Sequence, residues 1–135
     1  MIVLDAAALV DVVLDQPSKS WVLEQLEAAP VIAPAHQPAE VLSALARLVR
    51  AEQIGVSTAA AALSEARGLE QELITPTPAH LARSLDLQAR VRVLDALYVV
   101  LAQDHDAPLV TTDERLARAQ LAIDVRSPRS DRRAR

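Results

Sequence analysis

Two kinds of apolar pattern alternate along the 135 residues of the chain. Short, continuous runs of β-favouring residues stand at positions 2–4, 31–33, 73–74, 109–111 and 121–125. Between them, longer stretches repeat apolar residues at intervals of three and four, most clearly over 41–49 and 94–101. Because the first pattern is typical of buried strands and the second of helices, the chain predicts the element order βααβααβααβαβ.

Strands separated by helical stretches of this length have to pair in parallel, with helices covering the faces of the sheet. We therefore expect an α/β fold, a three-layer sandwich in which a small, mostly parallel sheet is flanked by helices. The chain has the length of a single domain, which we assign to residues 1–125. Right-handed crossovers would bring the loops that enter the helices to one end of the sheet.

Composition excludes several classes of site. The chain has no Cys, which rules out thiolate nucleophiles, zinc–thiolate and iron–sulfur sites, and disulfides. Its two Gly form no glycine-rich nucleotide loop, and Trp21 and Tyr98 are too few aromatic residues for a base-stacking platform. The His residues are scattered, and we interpret His36 and His105 as structural or solvated. No membrane span or signal peptide is expected, so the cytoplasm is the default location.

Charge is unevenly distributed along the chain. The last ten residues contain five Arg and one Asp, a local balance of +4 within a total of −4, so residues 1–125 carry −8. We interpret residues 126–135 as a basic, disordered tail and favour a solvated terminus over a dedicated RNA-binding arm. A body this acidic needs cations before it can approach nucleic acid.

Four acidic residues stand at the ends of predicted elements. Asp5 follows the first strand, and Asp113 follows the fourth. Glu40 lies two residues after Pro38, in the first turn of a helix, because Pro favours the first helical position. Asp95 begins a strongly apolar helix. All four would therefore lie where the chain enters a helix.

Each of these acids also has a purely structural interpretation. A carboxylate caps a helix or interacts with its dipole, and Thr111 with Glu114 fits a capping box. If the right-handed crossovers bring all four acids to one end of the sheet, however, their charges repel. One pair of carboxylates at roughly 4 Å repels by about 4 kcal/mol at an effective dielectric near 20. Such a group must protonate, stay apart or hold a cation, and oxygen ligands without His or Cys suit Mg²⁺ or Mn²⁺.

The same acids lie within four longer motifs, Ile2 to Asp5, Pro38 to Leu42, Leu94 to Ala102 and Leu109 to Leu116. In this order and spacing the motifs resemble those of PIN-domain ribonucleases, and most nearly those of the VapC toxins of bacterial toxin–antitoxin pairs. The resemblance spans about residues 1–125, and its two later motifs are the most specific.

The resemblance implies a catalytic, metal-binding set of four carboxylates, those of Asp5, Glu40, Asp95 and Asp113. It implies that Thr111 and Ser43 stand beside these ligands and that Arg115 contacts phosphate, although an exposed helix Arg is the simpler interpretation. Similar toxins usually have Ser or Thr where this chain has Ala7, and Asn where it has Ser43. Both departures affect accessory polar positions and the rate, and leave the four acids intact.

The ligand types favour hydrolysis of an RNA phosphodiester bond by metal-activated water, which leaves 5′-phosphate and 3′-hydroxyl ends. Attack by the 2′-hydroxyl of the RNA would leave a cyclic phosphate. The resemblance further implies a VapB-like antitoxin partner and a homodimer. Helices over 37–50 and 57–69 offer surface for either partner, although packing in the core explains their apolar residues as well.

Two other classes of protein stay open. The same acids would serve a non-catalytic or regulatory module that holds a cation or a partner, and the departures at Ala7 and Ser43 favour this alternative. A phosphoacceptor α/β domain would also place an acid after its first strand. Against it, the segment Asp5-Ala6-Ala7 is not an Asp-x-Asp pair, and Lys19 is the only Lys.

Overall fold

The computed structural model describes residues 1–134, and Arg135 lies outside the described residues. The strands are β1 (Ile2–Leu4), β2 (Val31–Pro34), β3 (Glu72–Ile74), β4 (Leu109–Val110) and β5 (Val125–Arg126). The helices are α1 (Ala6–Val13), α2 (Lys19–Glu27), α3 (Gln37–Arg50), α4 (Val56–Arg67), α5 (Pro78–Asp86), α6 (Val93–Asp104), α7 (Glu114–Arg118) and α8 (Pro128–Ala134). Up to β5 the elements follow the predicted order. Within residues 1–134, no helix has both the length and the apolar character that crossing a membrane requires.

The five strands form one parallel sheet in the order β3-β2-β1-β4-β5, which confirms the predicted α/β class. β1 is central, because Ile2 pairs with Val31 of β2 and Val3 pairs with Leu109 of β4. The chain runs from β1 to β2 and β3 on one side and then continues to β4 and β5 on the other. Ligands of α/β sheets bind beyond the carboxyl ends of the strands at such a reversal of strand order.

Helix α6 forms the centre of the core. Its residues from Ala96 to Ala102 are all buried, because the helix packs on β1, β2 and β4 and against α5. A helix that is apolar on every side is typical of such a position. Helices α2, α3 and α4 pack against α1, so that the helices form the two outer layers of the predicted sandwich. The buried body of α6 holds its first turn, with Asp95, at the end of the sheet.

A buried amide joins the start of α3 to the end of β1. Gln37 is fully buried, and its Nε2 donates a hydrogen bond to the carbonyl oxygen of Leu4 over 2.9 Å. The Gln71 side chain satisfies the rest of this amide, because each Gln donates to the other, over 2.7 and 3.2 Å. The last residue before Asp5 is therefore fixed relative to the helix that carries Glu40.

The carboxyl-terminal segment differs from the disordered tail that the sequence predicts. Arg126 belongs to β5, which begins at the last residue of the 121–125 run. Residues Pro128–Ala134 form α8, and Trp21 Nε1 of α2 donates to Asp131 Oδ2 over 2.6 Å. Charge density was the only signal for a tail, and it could not reveal that α2 supplies a partner for this segment.

Candidate active site

Asp5 and Asp113 meet at the carboxyl ends of the two central strands through one threonine. Asp5 follows β1, is 4% exposed, and donates its backbone N–H to the carbonyl oxygen of Val110 over 3.0 Å. Buried Thr111 donates its hydroxyl to Asp5 Oδ2 over 2.7 Å and accepts the Asp113 N–H over 3.0 Å. One hydroxyl therefore orients the Asp5 carboxylate and the turn that carries Asp113.

Asp5 lies in a strongly unfavourable environment for a negative charge. Burial raises the pKa of its carboxyl to about 7, although the hydrogen bond from Thr111 offsets part of this effect. The charges of Asp95, Glu40 and Asp113 raise the pKa further, so all three act on the same carboxyl. A carboxyl in this environment is stabilised by a nearby cation.

Glu40 is held by two side chains from different elements. It lies in the first turn of α3, where the Pro38 signal predicts it. Its Oε1 accepts hydrogen bonds from the Tyr98 hydroxyl over 2.8 Å and from His36 Nε2 over 3.0 Å. His36 Nε2 also lies 3.1 Å from the Leu94 carbonyl oxygen, so this nitrogen carries the hydrogen. Burial raises the pKa of Glu40, but the bonds from His36 and Tyr98 outweigh it and leave the pKa below its usual value.

Asp95 is the third residue of α6 rather than its N-cap. Its side chain is 12% exposed, and its Oδ2 accepts a hydrogen bond from Arg92 Nε over 3.1 Å. Burial raises the pKa of Asp95; the bond from Arg92 lowers it in part, and the charges of Glu40 and Asp113 raise it. A guanidinium of the chain itself therefore partly neutralises this carboxylate.

The helix-cap interpretations are correct for one acid. Asp113 is the N-cap of α7, and its Oδ1 accepts the Arg115 N–H over 2.9 Å. The capping box of Thr111 with Glu114 is wrong, because the Thr111 hydroxyl is used by Asp5 and by the turn. Asp5 stands at the N-cap position of α1, but its side chain makes no capping hydrogen bond.

The accessory residues lie at the margin of the site. Arg115 is largely exposed, with Nη2 3.5 Å from Asp113 Oδ2. Ser43 is exposed on α3, one turn after Glu40, and no hydrogen bond within residues 1–134 joins it to the four acids. Ala7 is partly exposed in the first turn of α1. Of the accessory side chains named from the sequence, Thr111 hydrogen-bonds an acid and Arg115 forms an ion pair with another.

The donor set suits a hard divalent cation, because it consists of carboxylate oxygens around an acid with a raised pKa. As these side chains stand, no three His, Cys, Asp or Glu residues of the described chain are grouped closely enough to hold a metal ion. Asp95 is bonded to Arg92, and Glu40 to His36 and Tyr98. The four acids thus face one region without surrounding a single point, so one ion could contact all four only after side chains move.

Sequence reasoning missed three residues of the site. His36 is more than structural, because it bonds Glu40, while its Nδ1 is buried with no partner among the described atoms. The spacing could have indicated His36, which stands four residues before Glu40. The second missed residue, Arg92, stands three residues before Asp95, and side chains at both spacings share a helix face. Tyr98 gave no signal, because its contact with Glu40 spans 58 residues of chain.

Comparison with known proteins gives the family. Residues 2–121 match the PIN domain. The chain is 41% identical over 124 residues to Ribonuclease VapC3 of Mycobacterium tuberculosis, with 87% of this chain and 86% of the relative covered. It is 37% identical over 118 residues to Ribonuclease VapC1 of the same organism, with 87% and 89% covered.

Solved structures share the fold. Mycobacterium tuberculosis VapC20, a sarcin–ricin loop cleaving toxin, superposes with a TM-score of 0.67 at 14% identity, covering 90% of this chain and 97% of the other. VapBC2 from Rickettsia felis, bound to a DNA fragment from its promoter, gives a TM-score of 0.66 at 18% identity, with 94% and 98% covered. The arrangement of strands, helices and acids described above, together with these likenesses, means that the chain belongs to the PIN-domain family and, within it, to the VapC ribonucleases.

Proposed function

We propose that this protein is a divalent-metal-dependent endoribonuclease that acts as the toxin of a toxin–antitoxin pair in the cytoplasm. Family membership supports the ribonuclease activity. The observation that carries the metal dependence is Asp5, a buried carboxyl at the reversal of strand order whose pKa is raised to about 7. Such a group is stabilised by a cation, and carboxylate ligands alone favour Mg²⁺ or Mn²⁺.

The proposed ligands are the four carboxylates, those of Asp5, Glu40, Asp95 and Asp113. A divalent ion supplies, when bound, a lowered pKa for water and neutralisation of charge on a phosphodiester. Thr111 orients the Asp5 carboxylate for this role through its hydroxyl. His36 and Tyr98 keep Glu40 ionised. Arg115, exposed beside Asp113, is available to a phosphate of the RNA.

The proposal is tested by RNA cleavage with the variants D5N and D95N. Each substitution keeps the shape of the side chain and removes its charge, so we expect cleavage to fall by about 100-fold or more. D86N is the matched control, because Asp86 is exposed at the end of α5, and its activity should equal that of the wild type. EDTA should stop the wild-type reaction, and added Mg²⁺ should restore it.

The chemical ends of the RNA products, and the presence or absence of cleavage, distinguish the alternative functions. Hydrolysis by water predicts 5′-phosphate and 3′-hydroxyl ends, and cyclic phosphate ends would contradict it. Full cleavage by D5N and D95N would exclude the proposed site. Binding of Mg²⁺ with no cleavage of transfer, ribosomal or messenger RNA would favour the non-catalytic or regulatory module. The match to the PIN domain excludes the phosphoacceptor class.

We propose a VapB-like antitoxin as the protein partner. Two structural neighbours are assemblies of this kind, VapBC2 from Rickettsia felis and a toxin–antitoxin complex from Klebsiella pneumoniae with a TM-score of 0.61 at 18% identity. Where the adjacent reading frame encodes a small protein, its co-expression with this chain should yield a complex that no longer cleaves RNA. Separate elution of the two proteins, or full activity of the mixture, would contradict the assignment.

We propose a homodimer formed through the outer surface of α5 and the start of α6. The apolar patch consists of four exposed side chains, those of Leu81, Leu85, Val93 and Leu94. α5 packs directly on α6, so the four belong to adjoining surface. Exposed apolar residues that adjoin in this way are typical of a protein interface. The helices suggested by the sequence, α3 and α4, expose Leu42 and Val56 and are the competing surfaces.

A further inference from the structure

One cation within the acidic site belongs to the chain itself. Arg92 directly precedes α6, and its Nε donates a hydrogen bond to Asp95 Oδ2 over 3.1 Å. Its backbone is fixed, because its carbonyl oxygen accepts the Ala96 N–H over 3.0 Å. Its side chain, in contrast, is 63% exposed, whereas that of Asp95 is 12% exposed. The guanidinium thus covers the solvent side of a buried carboxylate and can move away without disturbing the helix.

The charge of Arg92 interacts with three of the four acids. The hydrogen bond to Asp95 and its negative charge raise the pKa of the guanidinium, and the charges of Asp113 and Glu40 add to the effect. The other basic side chains described around these acids are Arg115, 3.5 Å from Asp113, and His36, 3.0 Å from Glu40. Arg92 is therefore the counter-ion of Asp95, at the start of α6.

We propose that Arg92 is an internal counter-ion that holds Asp95 in the metal-free enzyme and yields it to the divalent ion. The inference rests on the proposed function, because it assumes that Asp95 is a ligand. Its physical reason is that two cations beside one carboxylate repel each other, and a doubly charged ion gains more from four carboxylates than a guanidinium does. Ion binding and the Arg92–Asp95 contact are then mutually exclusive, and Arg92 lowers the apparent affinity for the ion.

The test measures Mn²⁺ binding to the full chain without RNA, by electron paramagnetic resonance. R92Q removes the charge and keeps a polar side chain, so its dissociation constant should fall by about threefold to tenfold relative to the wild type. R90Q is the matched control. It removes the same charge two residues earlier, where Arg90 bonds the carbonyl oxygen of Gln120, and should change the constant by less than about twofold.

A second readout follows the guanidinium directly. In ¹H–¹⁵N spectra the Nε signal of Arg92, assigned by its loss in R92Q, should shift as Mg²⁺ is added, over the range in which the ion binds. If R92Q does not fold, R92K supplies the assignment instead, because Lys also lacks the Nε nitrogen, and the response of this signal to Mg²⁺ carries the test.

The outcomes separate the two proposals. Mn²⁺ binding with an equal or larger constant in R92Q, or an Arg92 signal that does not respond to Mg²⁺, would overturn the role of Arg92 and leave the metal site standing. Failure of Mn²⁺ to bind either protein would overturn the metal-dependent function, and the role of Arg92 with it.

Discussion

Burial of Asp5 makes the stability of the fold depend on pH. The carboxyl has a pKa of about 7 in the folded chain, compared with an ordinary value of 3.8. Well below pH 3.8 it is neutral in both the folded and the unfolded chain, so folding is not penalised. Above about pH 7 the folded chain must bury a charge that the unfolded chain exposes to water. The contribution of Asp5 to the free energy of unfolding therefore falls by up to about 4 kcal/mol across this range.

Urea unfolding in EDTA at a series of pH values measures this effect. The wild type should lose stability between about pH 4 and pH 7, whereas D5N, which cannot ionise, should show a much smaller loss. At about pH 8 D5N should be the more stable protein. Parallel curves for the two proteins would show that the Asp5 carboxyl is not destabilised when ionised.

The Tyr98 hydroxyl should affect ion binding through Glu40. Y98F keeps a ring in the fully buried position and deletes the donor to Glu40 Oε1. Loss of one hydrogen bond should cost about 1 kcal/mol of stability and raise the Mn²⁺ dissociation constant about fivefold. S84A is the matched control, because the buried Ser84 hydroxyl has no described partner. An unchanged constant in Y98F would mean that Glu40 does not depend on Tyr98.

The sequence alone predicts the positions of the four acids better than it predicts the side chains that hydrogen-bond them. The positions of Asp5 and Asp113 follow from buried runs that end in a carboxylate, and Glu40 follows from the Pro38 signal. The partners of these acids depend on contacts between distant segments, such as Tyr98 with Glu40, and a periodic pattern does not encode such contacts. Thr111 is the exception, because the resemblance places its hydroxyl beside the ligands.

Elements were predictable where their burial was uniform. β1, β2 and the α6 residues from Ala96 to Ala102 are buried throughout, so each appears as an unbroken apolar run. The edge strand β5 is only partly buried, and its pairing with β4, not its apolar character, decides where it begins. Helix α8 was missed for a similar reason, because a polar and basic segment gains its order from a neighbour.

D131A tests whether α2 holds α8 in place. The substitution removes the acceptor of the Trp21 indole N–H and leaves Trp21 itself unchanged. Loss of this hydrogen bond should accelerate amide exchange in α8 by about fivefold to tenfold, while amides of α6 keep their protection. D124A, which removes an exposed acid from the preceding loop, should leave α8 unchanged. Equal exchange in D131A and wild type would mean that other contacts hold α8.

At the scale of the whole molecule, the apolar patch on α5 and α6 predicts the assembly. Sedimentation should give one species of twice the 14.5 kDa chain mass. L85E places a charge on a side chain that is 64% exposed, so the fold should persist while the dimer dissociates. V56E makes the same change on α4 and should leave the dimer intact. Dissociation by V56E instead would move the interface to α4.

The site draws its acids from positions 5, 40, 95 and 113, and the sheet places β4 beside β1. A chain that is still emerging from the ribosome therefore has the first strand long before it has the last acid. Until residue 113 has left the exit tunnel, the nascent polypeptide lacks one carboxylate of its proposed active site. The proposed nuclease activity can thus arise only after β1, α3 and α6 have all been synthesised, and the segment that precedes β4 cannot supply it alone.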